Sequence, residues 1–236
     1  MTMTQPQITI IIPVHNEAGF MGSALARIRE QVETVTPRYR IILVENGSTD
    51  RTHIEALSEA ASDSRLDVIQ IDGADYGLAI RTGMKAAGDL GWLVVFDIDY
   101  HSGEFLQRVA EFGGSADVVI ASKRAPGSRD RRPWIRRLAT RVFNLALRTV
   151  VGSGLTDTHG IKALRAPVVQ EILPRVRLTE DLFDTELVLR AERAGYRIVE
   201  VPITVEELRE ARSSLLRRVP RTLRGLITLR RSLGSG

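Results

Sequence analysis

Over residues 1–121 the chain alternates five short apolar, β-branched runs with stretches of helical apolar spacing. Residues 8–14, 40–45, 67–71, 91–97 and 117–121 read as strands. Between them, Ala24, Leu25, Ile28 and Val32 mark one helix and Ile54, Leu57, Ala60 and Ala61 another. Residues 79–87 and 102–112 supply two more. Asn16 is a cap for the first helix, and Asn46-Gly47-Ser48-Thr49-Asp50 is a turn that opens the second. This alternation predicts right-handed βαβ units and a mostly parallel sheet covered by helices on both faces. Ligands of such sheets sit at the carboxyl ends of the strands. Four polar tips fall there: His15-Asn16-Glu17, Glu45-Asn46-Gly47-Ser48, Asp72-Gly73 and Asp97 to His101.

The last tip carries the most chemistry. Leu93-Val94-Val95-Phe96 runs straight into Asp97-Ile98-Asp99. In extended chain, residues i and i+2 point the same way, so Asp97 and Asp99 can address one point. Two carboxylates held that close raise each other's pKa. A divalent cation with oxygen ligands, shared with a phosphate, relieves the repulsion. Alone, D-x-D serves equally as a solvated turn or a helix cap; three neighbouring tips on one sheet edge turn it towards a site.

Composition narrows the field. With 236 residues, 43% hydrophobic and 26% charged, the chain suits one large α/β domain or two small ones. It has no Cys, which excludes disulfides and thiolate metal sites, and its 4 His are too few for a His-rich cluster. No apolar stretch is long enough to span a bilayer. The first residues lack a basic leader region, so a cytoplasmic protein is expected, or one peripheral on the cytoplasmic face of a membrane. The net charge is +4, and it is unevenly placed. Residues 123–148 hold 9 basic residues and one acid, Asp130, and residues 211–236 hold 7 Arg and no acid. Such segments suit anionic partners: phosphates, a membrane surface or nucleic acid. Aromatic residues are only 5% and do not interleave with the basic ones, which makes nucleic acid an unlikely partner.

The second half is less regular. Residues 124–132 are a Pro/Gly/Arg-rich loop, and 134–150 show helical spacing through Ile135, Leu138, Val142 and Leu145. A turn-rich loop covers 152–158, a strand 161–164, a helix 182–194 ended by Gly195, and a strand 197–201 stopped by Pro202. Pro220 fits the first turn of a last helix in which Leu223, Leu226, Ile227 and Arg230 alternate faces through Leu233. Arg217, Arg218, Arg221, Arg224 and Arg231 supply its polar side. A basic amphipathic helix of this kind either lies in a membrane interface or docks on the domain with its Arg face in solvent.

Ile12-Pro13-Val14-His15-Asn16-Glu17, Glu45-Asn46-Gly47-Ser48-Thr49-Asp50 and Asp97-Ile98-Asp99, in this order and spacing, resemble the family 2 glycosyltransferases of GT-A fold. Asp157-Thr158-His159-Gly160-Ile161-Lys162, Phe183 to Leu187 and the stretch from Gly195 to Ile203 resemble the dolichyl- and polyprenyl-phosphate mannose and glucose synthases within it. The resemblance implies a glycosyltransferase domain over 1–204, with a nucleotide-sugar half (1–121) and an acceptor half (122–204), followed by a basic segment, 205–236. By the same resemblance, Pro13 and Glu17 border the nucleoside, and Asp72 and Gly73 line the base pocket. Glu45 and Asn46 stand where the family usually has two Asp that hold base and ribose. Asp97 and Asp99 hold Mg2+ or Mn2+ against the diphosphate. His101 stands where a Gln often completes the metal shell, a change that favours Mn2+; a helix-capping or supporting role is the alternative. Lys123 replaces an Arg and, with Arg136, Arg137 and Arg141, cradles phosphates, unless these Arg are simply solvated. Arg209, Arg212 and Ser213 resemble a loop that closes over the acceptor phosphate. The catalytic set is then Asp97, Asp99, Lys123, Arg136 and Arg209. The turn from Asp157 to Gly160 is one residue tighter than the family pattern.

The implied reaction is metal-dependent, inverting transfer of a sugar from a GDP- or UDP-linked donor to a polyprenyl phosphate. A soluble hydroxyl acceptor is the alternative and would need a carboxylate base. Glu180, Asp181, Asp184 and Glu186 are the candidates, although Glu186 can instead pair with Arg190 at i, i+4. A non-catalytic nucleotide- or nucleic-acid-binding module is a third reading. Access to a lipid acceptor would come from the C-terminal segment or a membrane-protein partner.

Overall fold

The computed structural model describes residues 7–89, 91–130, 134–158, 160–179, 182–205 and 215–234. Its centre is a seven-stranded sheet. In chain order the strands are β1 (Ile8–Val14), β2 (Tyr39–Asn46), β3 (Leu66–Ile71), β4 (Trp92–Val95), β5 (Val118–Ser122), β6 (Arg129–Asp130), β7 (Lys162–Arg165), β8 (Ile198–Pro202) and β9 (Thr204–Val205). The large sheet runs β3-β2-β1-β4-β7-β5-β8, and β6 pairs with β9 in a small ribbon. Every large-sheet pairing is parallel except those of β7, which is antiparallel to both β4 and β5. The expected mostly parallel α/β sheet is therefore present.

Strand alternation sorts the core into two layers. Ile8, Ile10, Ile12 and Val14 of β1 face α1 (Met21–Glu33) and α4 (Gly103–Phe112); Ile11 faces the opposite side. Helix α2 (Thr52–Ser62) adds Ala56 to the first layer. The second layer is closed by α3 (Tyr76–Ala86), α6 (Ala166–Ile172) and α7 (Phe183–Arg193). Helix α3 lies so close to β1 that a Cβ on Gly83 would sit 2.4 Å from Ile11 Cγ2. The short helix α6 has no counterpart in the sequence reading, although Pro167 at its start and the spacing of Val168, Val169 and Ile172 encode it.

Two helices differ from expectation. In α5 (Trp134–Val151), Ile135, Leu138, Val142 and Leu145 are exposed, while Asn144 and Leu147 are buried. Helix α8 (Leu215–Gly234) starts before Pro220, and its Leu226, Leu229 and Leu233 form a third core with Leu147 and Leu189. Its C-terminal turns are thus docked on the domain. Asn16 does not cap α1. Phe20 holds the cap position, and Asn16 adopts a left-handed backbone (φ 55°) in the tip of β1.

The order of strands creates the site. The chain moves outward from β1 through β2 to β3, then returns to place β4 on the other side of β1. Such a reversal leaves a crevice at the strand ends. Pro13 sharpens it. The carbonyl of Ile11 accepts from Phe96 N at 3.0 Å, and Pro13, two residues on, presents the same backbone edge without an N–H. The β1–β4 pairing ends at Ile11 and Val95, while β1 and β2 stay paired to Val14 and Glu45.

Candidate active site

The tips of β1, β2 and β3 are stitched together by side chains. His15 Nδ1 donates to Asn46 O (2.7 Å), Asn16 N donates to Ser48 Oγ (3.0 Å), and Thr49 N donates to Asn16 Oδ1 (2.8 Å). Bracing the neighbouring tip is what occupies Asn16 in place of capping. Glu45 turns inward: its carboxylate is 1% exposed and accepts from Ser48 N at 2.6 Å. Asn46 is also buried, and its Oδ1 accepts from Asp75 N at 2.8 Å. These two residues hold the loop rather than line an open surface. Gly47, at φ 62°, packs against the next tip; a Cβ there would meet the Gly73 backbone at 2.7 Å. Asp72 and Gly73 are exposed beside it, Pro13 is buried and Glu17 is partly buried.

From Asn46 a chain of contacts leads to the D-x-D. Asp75 caps α3, accepting from Leu78 N at 2.9 Å. Tyr76 follows, and its hydroxyl donates to Asp97 Oδ1 at 2.9 Å. The D-x-D itself is not extended. β4 ends at Val95, and Asp97 and Tyr100 exchange backbone hydrogen bonds of 3.2 and 3.1 Å around a tight turn. Ile98 is buried at the turn, Asp97 is partly buried and Asp99 is exposed. The two carboxylates therefore differ in environment. Burial pushes the pKa of Asp97 up; the charges of Asp184 and Asp99 push the same way, against the Tyr76 hydrogen bond and Lys162. Tyr76 is driven well above its ordinary value by burial and by Asp97 and Asp184.

His101 lies beside this turn. Its Nδ1–H donates to Gln31 Oε1 at 2.9 Å, which leaves the lone pair on Nε2. Burial and nearby Arg27 lower its pKa, keeping the ring neutral. Among the described residues, no three His, Asp or Glu side chains form a ready metal cluster. The donor chemistry nevertheless fits a divalent cation: two carboxylates at one turn, one of them with a charge that burial disfavours, beside a neutral imidazole.

Across the sheet lies a pair the sequence reading did not join. Lys162 on β7 and Asp184 on α7 form an ion pair of 2.8 Å, with side chains 0% and 6% exposed. The available signal was a Lys set between the apolar Ile161 and Ala163-Leu164. Glu186, one α-turn from Arg190, accepts its Nε at 2.8 Å, together with Ser232 Oγ and the N–H groups of Arg177 and Leu178. Burial alone would raise Glu186, but these donors hold it below the ordinary carboxylate range. Of the four candidate bases, Glu186 is held by four donors and Asp184 by Lys162 through Oδ2, its Oδ1 buried without a hydrogen-bond partner among the described residues; Glu180 and Asp181 lie outside them.

On the acceptor side, Lys123 N donates to Asp157 Oδ2 at 3.3 Å. Its ammonium lies beside Gly160, whose φ of 122° favours glycine. Glu200 braces this loop, accepting from Thr156 N, Thr156 Oγ1 and Asp157 N at 2.8–3.0 Å. Arg137 and Arg141 are exposed on α5. Arg209, Arg212, Ser213, His159 and the side chain of Arg136 lie outside the described residues.

A family model described as glycosyl transferase family 2 matches residues 9–173. The chain belongs to this family. Among its relatives, an undecaprenyl-phosphate mannosyltransferase of Micrococcus luteus is 33% identical over 210 residues, covering 85% of this chain and 84% of that protein. A polyprenol monophosphomannose synthase of Mycolicibacterium smegmatis is 31% identical over 207 residues, covering 84% and 77%. The fold matches glucosyl-3-phosphoglycerate synthase from Mycobacterium tuberculosis, solved with Mn2+, UDP and phosphoglyceric acid. That match has TM-score 0.67 at 19% identity, over 95% of this chain and 77% of that one. The family 2 assignment makes the chain a glycosyltransferase, and the sheet and its helices are a GT-A fold.

Proposed function

We propose that this glycosyltransferase moves a hexose from a nucleoside-diphosphate sugar to a polyprenyl phosphate, with inversion, using Mg2+ or Mn2+. Mannose is the first sugar to test, since both relatives described above are named for mannose. The relatives carry the acceptor assignment, one being named for undecaprenyl phosphate and the other as a polyprenol monophosphomannose synthase. Asp184 is bound to Lys162 and Glu186 to Arg190. Glu186 is thereby committed to the fold, whereas Asp184 keeps a buried Oδ1 with no hydrogen-bond partner among the described residues, so of the two only Asp184 could serve a hydroxyl acceptor as base. A phosphate monoester needs no such base, because its second pKa of about 6 leaves it largely dianionic at neutral pH.

Each residue then has a task. Pro13, Glu17, Asp72 and Gly73 border the nucleoside in the crevice between β1 and its neighbours. Glu45 and Asn46 act at one remove, by fixing the tips that shape it. Asp97 and Asp99 would hold the metal, with His101 Nε2 as a third donor. When bound, the metal neutralises charge on the leaving diphosphate. Tyr76 orients Asp97. Lys123 and the Arg-rich segments draw the acceptor phosphate towards the donor and offset the repulsion between two anionic substrates.

The test is transfer of labelled sugar from GDP- and UDP-hexoses into an organic-extractable product. The product should form only when polyprenyl phosphate is present. Label appearing instead on a soluble hydroxyl acceptor would overturn the acceptor assignment.

A further inference from the structure

Helix α5 is apolar on two opposite sides and packed on only one. Leu147 and Asn144 are buried, and Phe143 and Val151 pack beside Leu147 on the core shared with Leu226 and Leu229 of α8. The other side carries Trp134, Ile135, Leu138, Val142 and Leu145, which are 67, 51, 45, 58 and 62% exposed. Helical geometry puts these five within an arc of about 100°, centred opposite the packed face. Single exposed apolar residues are ordinary. Here five of the eight large exposed hydrophobics among the described residues share one helix face, which marks an interaction surface.

Charge indicates what covers it. Arg137, Arg141 and Arg148 are exposed and run along one border of the stripe, and α5 contains no acidic residue. A second copy of this face packed antiparallel would bring guanidinium against guanidinium, and in neither orientation would it offer the Arg row an acidic partner from α5. An anionic lipid surface accepts both features: apolar side chains enter the acyl boundary, and the Arg heads remain at headgroup phosphates. Trp134, at the helix start, suits the same boundary.

The inner side of α5 leads back to the site. The Asn144 amide donates to Thr156 O, and the Thr156 hydroxyl pairs with Ser122 Oγ at 2.8 Å, next to Lys123. A surface seated on the outer face would therefore be joined through one helix to the loop beside Lys123. We propose that α5, rather than the docked turns of α8, lies flat in the interface of an anionic membrane. The link to acceptor delivery rests on the lipid acceptor proposed above; membrane binding itself does not.

The test uses the full chain and vesicles of phosphatidylcholine with or without phosphatidylglycerol. The protein should co-sediment with the anionic vesicles, less so as salt rises. Trp134 is exposed and Trp92 is buried, so binding should shift the emission to the blue through Trp134 alone, and Trp134→Phe should remove the shift. The triple variant Leu138→Gln, Val142→Gln, Leu145→Gln should weaken vesicle binding at least about tenfold, whereas Ile227→Gln on α8 should not. If the triple variant loses its melting transition, the Trp134 emission of the unaltered chain decides. No blue shift, no co-sedimentation, or equal binding by a folded triple variant would overturn the proposal. So would a solution dimer that the triple variant converts to monomer, which would make the stripe a self-association face. Failure of sugar transfer with vesicle binding intact would instead count against the proposed function alone.

Discussion

The Tyr76 hydroxyl, on the first residue of α3, donates to Asp97 Oδ1 at 2.9 Å, in the turn that follows β4. That bond joins the nucleotide-side tips, through Asn46 and Asp75, to the carboxylate assigned to the metal. A hydrogen bond to a charged group contributes about 1.5–3 kcal/mol. Tyr76→Phe should therefore weaken Mn2+-dependent nucleotide binding by about tenfold while the fold stays intact. Calorimetric titration of the variant with nucleoside diphosphate and Mn2+ measures this; unchanged affinity would remove Tyr76 from the site.

Asp97 makes a prediction about stability. Burial and the neighbouring Asp184 and Asp99 raise its pKa in the folded chain. A raised folded value means the stabilising contribution is full at acid pH and is lost as pH rises through that value. Metal-free Asp97→Asn should therefore melt above the parent at pH 7, with the gap closing below the ordinary carboxylate range. Adding Mn2+ should stabilise the parent and not the variant. Melting curves across pH, with and without metal, check both statements.

The Lys162–Asp184 pair should behave as a buried unit. Lys162→Met strands a buried carboxylate and should cost about 3–5 kcal/mol. Combining it with Asp184→Leu should recover much of that loss, because neither charge is then left alone. Urea unfolding of the two singles and the double gives the coupling. Additive losses would mean that the pair is not coupled.

Glu186 should be structural. Its folded pKa is held below the ordinary range by its four donors. Its contribution is thus present above that range and is lost as pH falls through the lowered folded value. Glu186→Ala should destabilise by about 3 kcal/mol or more at pH 7, and by less in acid. At a temperature where the variant remains folded, KM for the nucleotide-sugar should be unchanged.

Much of this was legible in the chain. The β-branched runs and their polar ends predict the sheet, its parallel pairing and the gathering of four tips, because each signal is local. The failures are long-range. Ile135, Leu138, Val142 and Leu145 have helical spacing, but so do Phe143, Leu147 and Val151, and only the docking of α8 selects the buried face. The i, i+2 reading of Asp97 and Asp99 was overridden by the backbone pairing of Asp97 with Tyr100, which ends the strand at Val95. Asn16 has a good capping side chain, but the N–H and hydroxyl of Thr49 on the next strand tip claim its Oδ1, while its backbone N–H donates to Ser48 Oγ. Lys162 and Asp184 lie on different elements, and no local pattern pairs them.

The most direct measurement is the rate at which labelled hexose from the preferred nucleotide-sugar enters polyprenyl phosphate, comparing the parent, the parent with EDTA, and Asp99→Ala. Asp99 is exposed at the turn, so the substitution should leave the melting temperature near that of the parent. The account predicts organic-extractable product with the parent and Mn2+ or Mg2+, and a loss of at least about a hundredfold, or 2.7 kcal/mol, in the other two. Undiminished transfer by Asp99→Ala, or in EDTA, would contradict it.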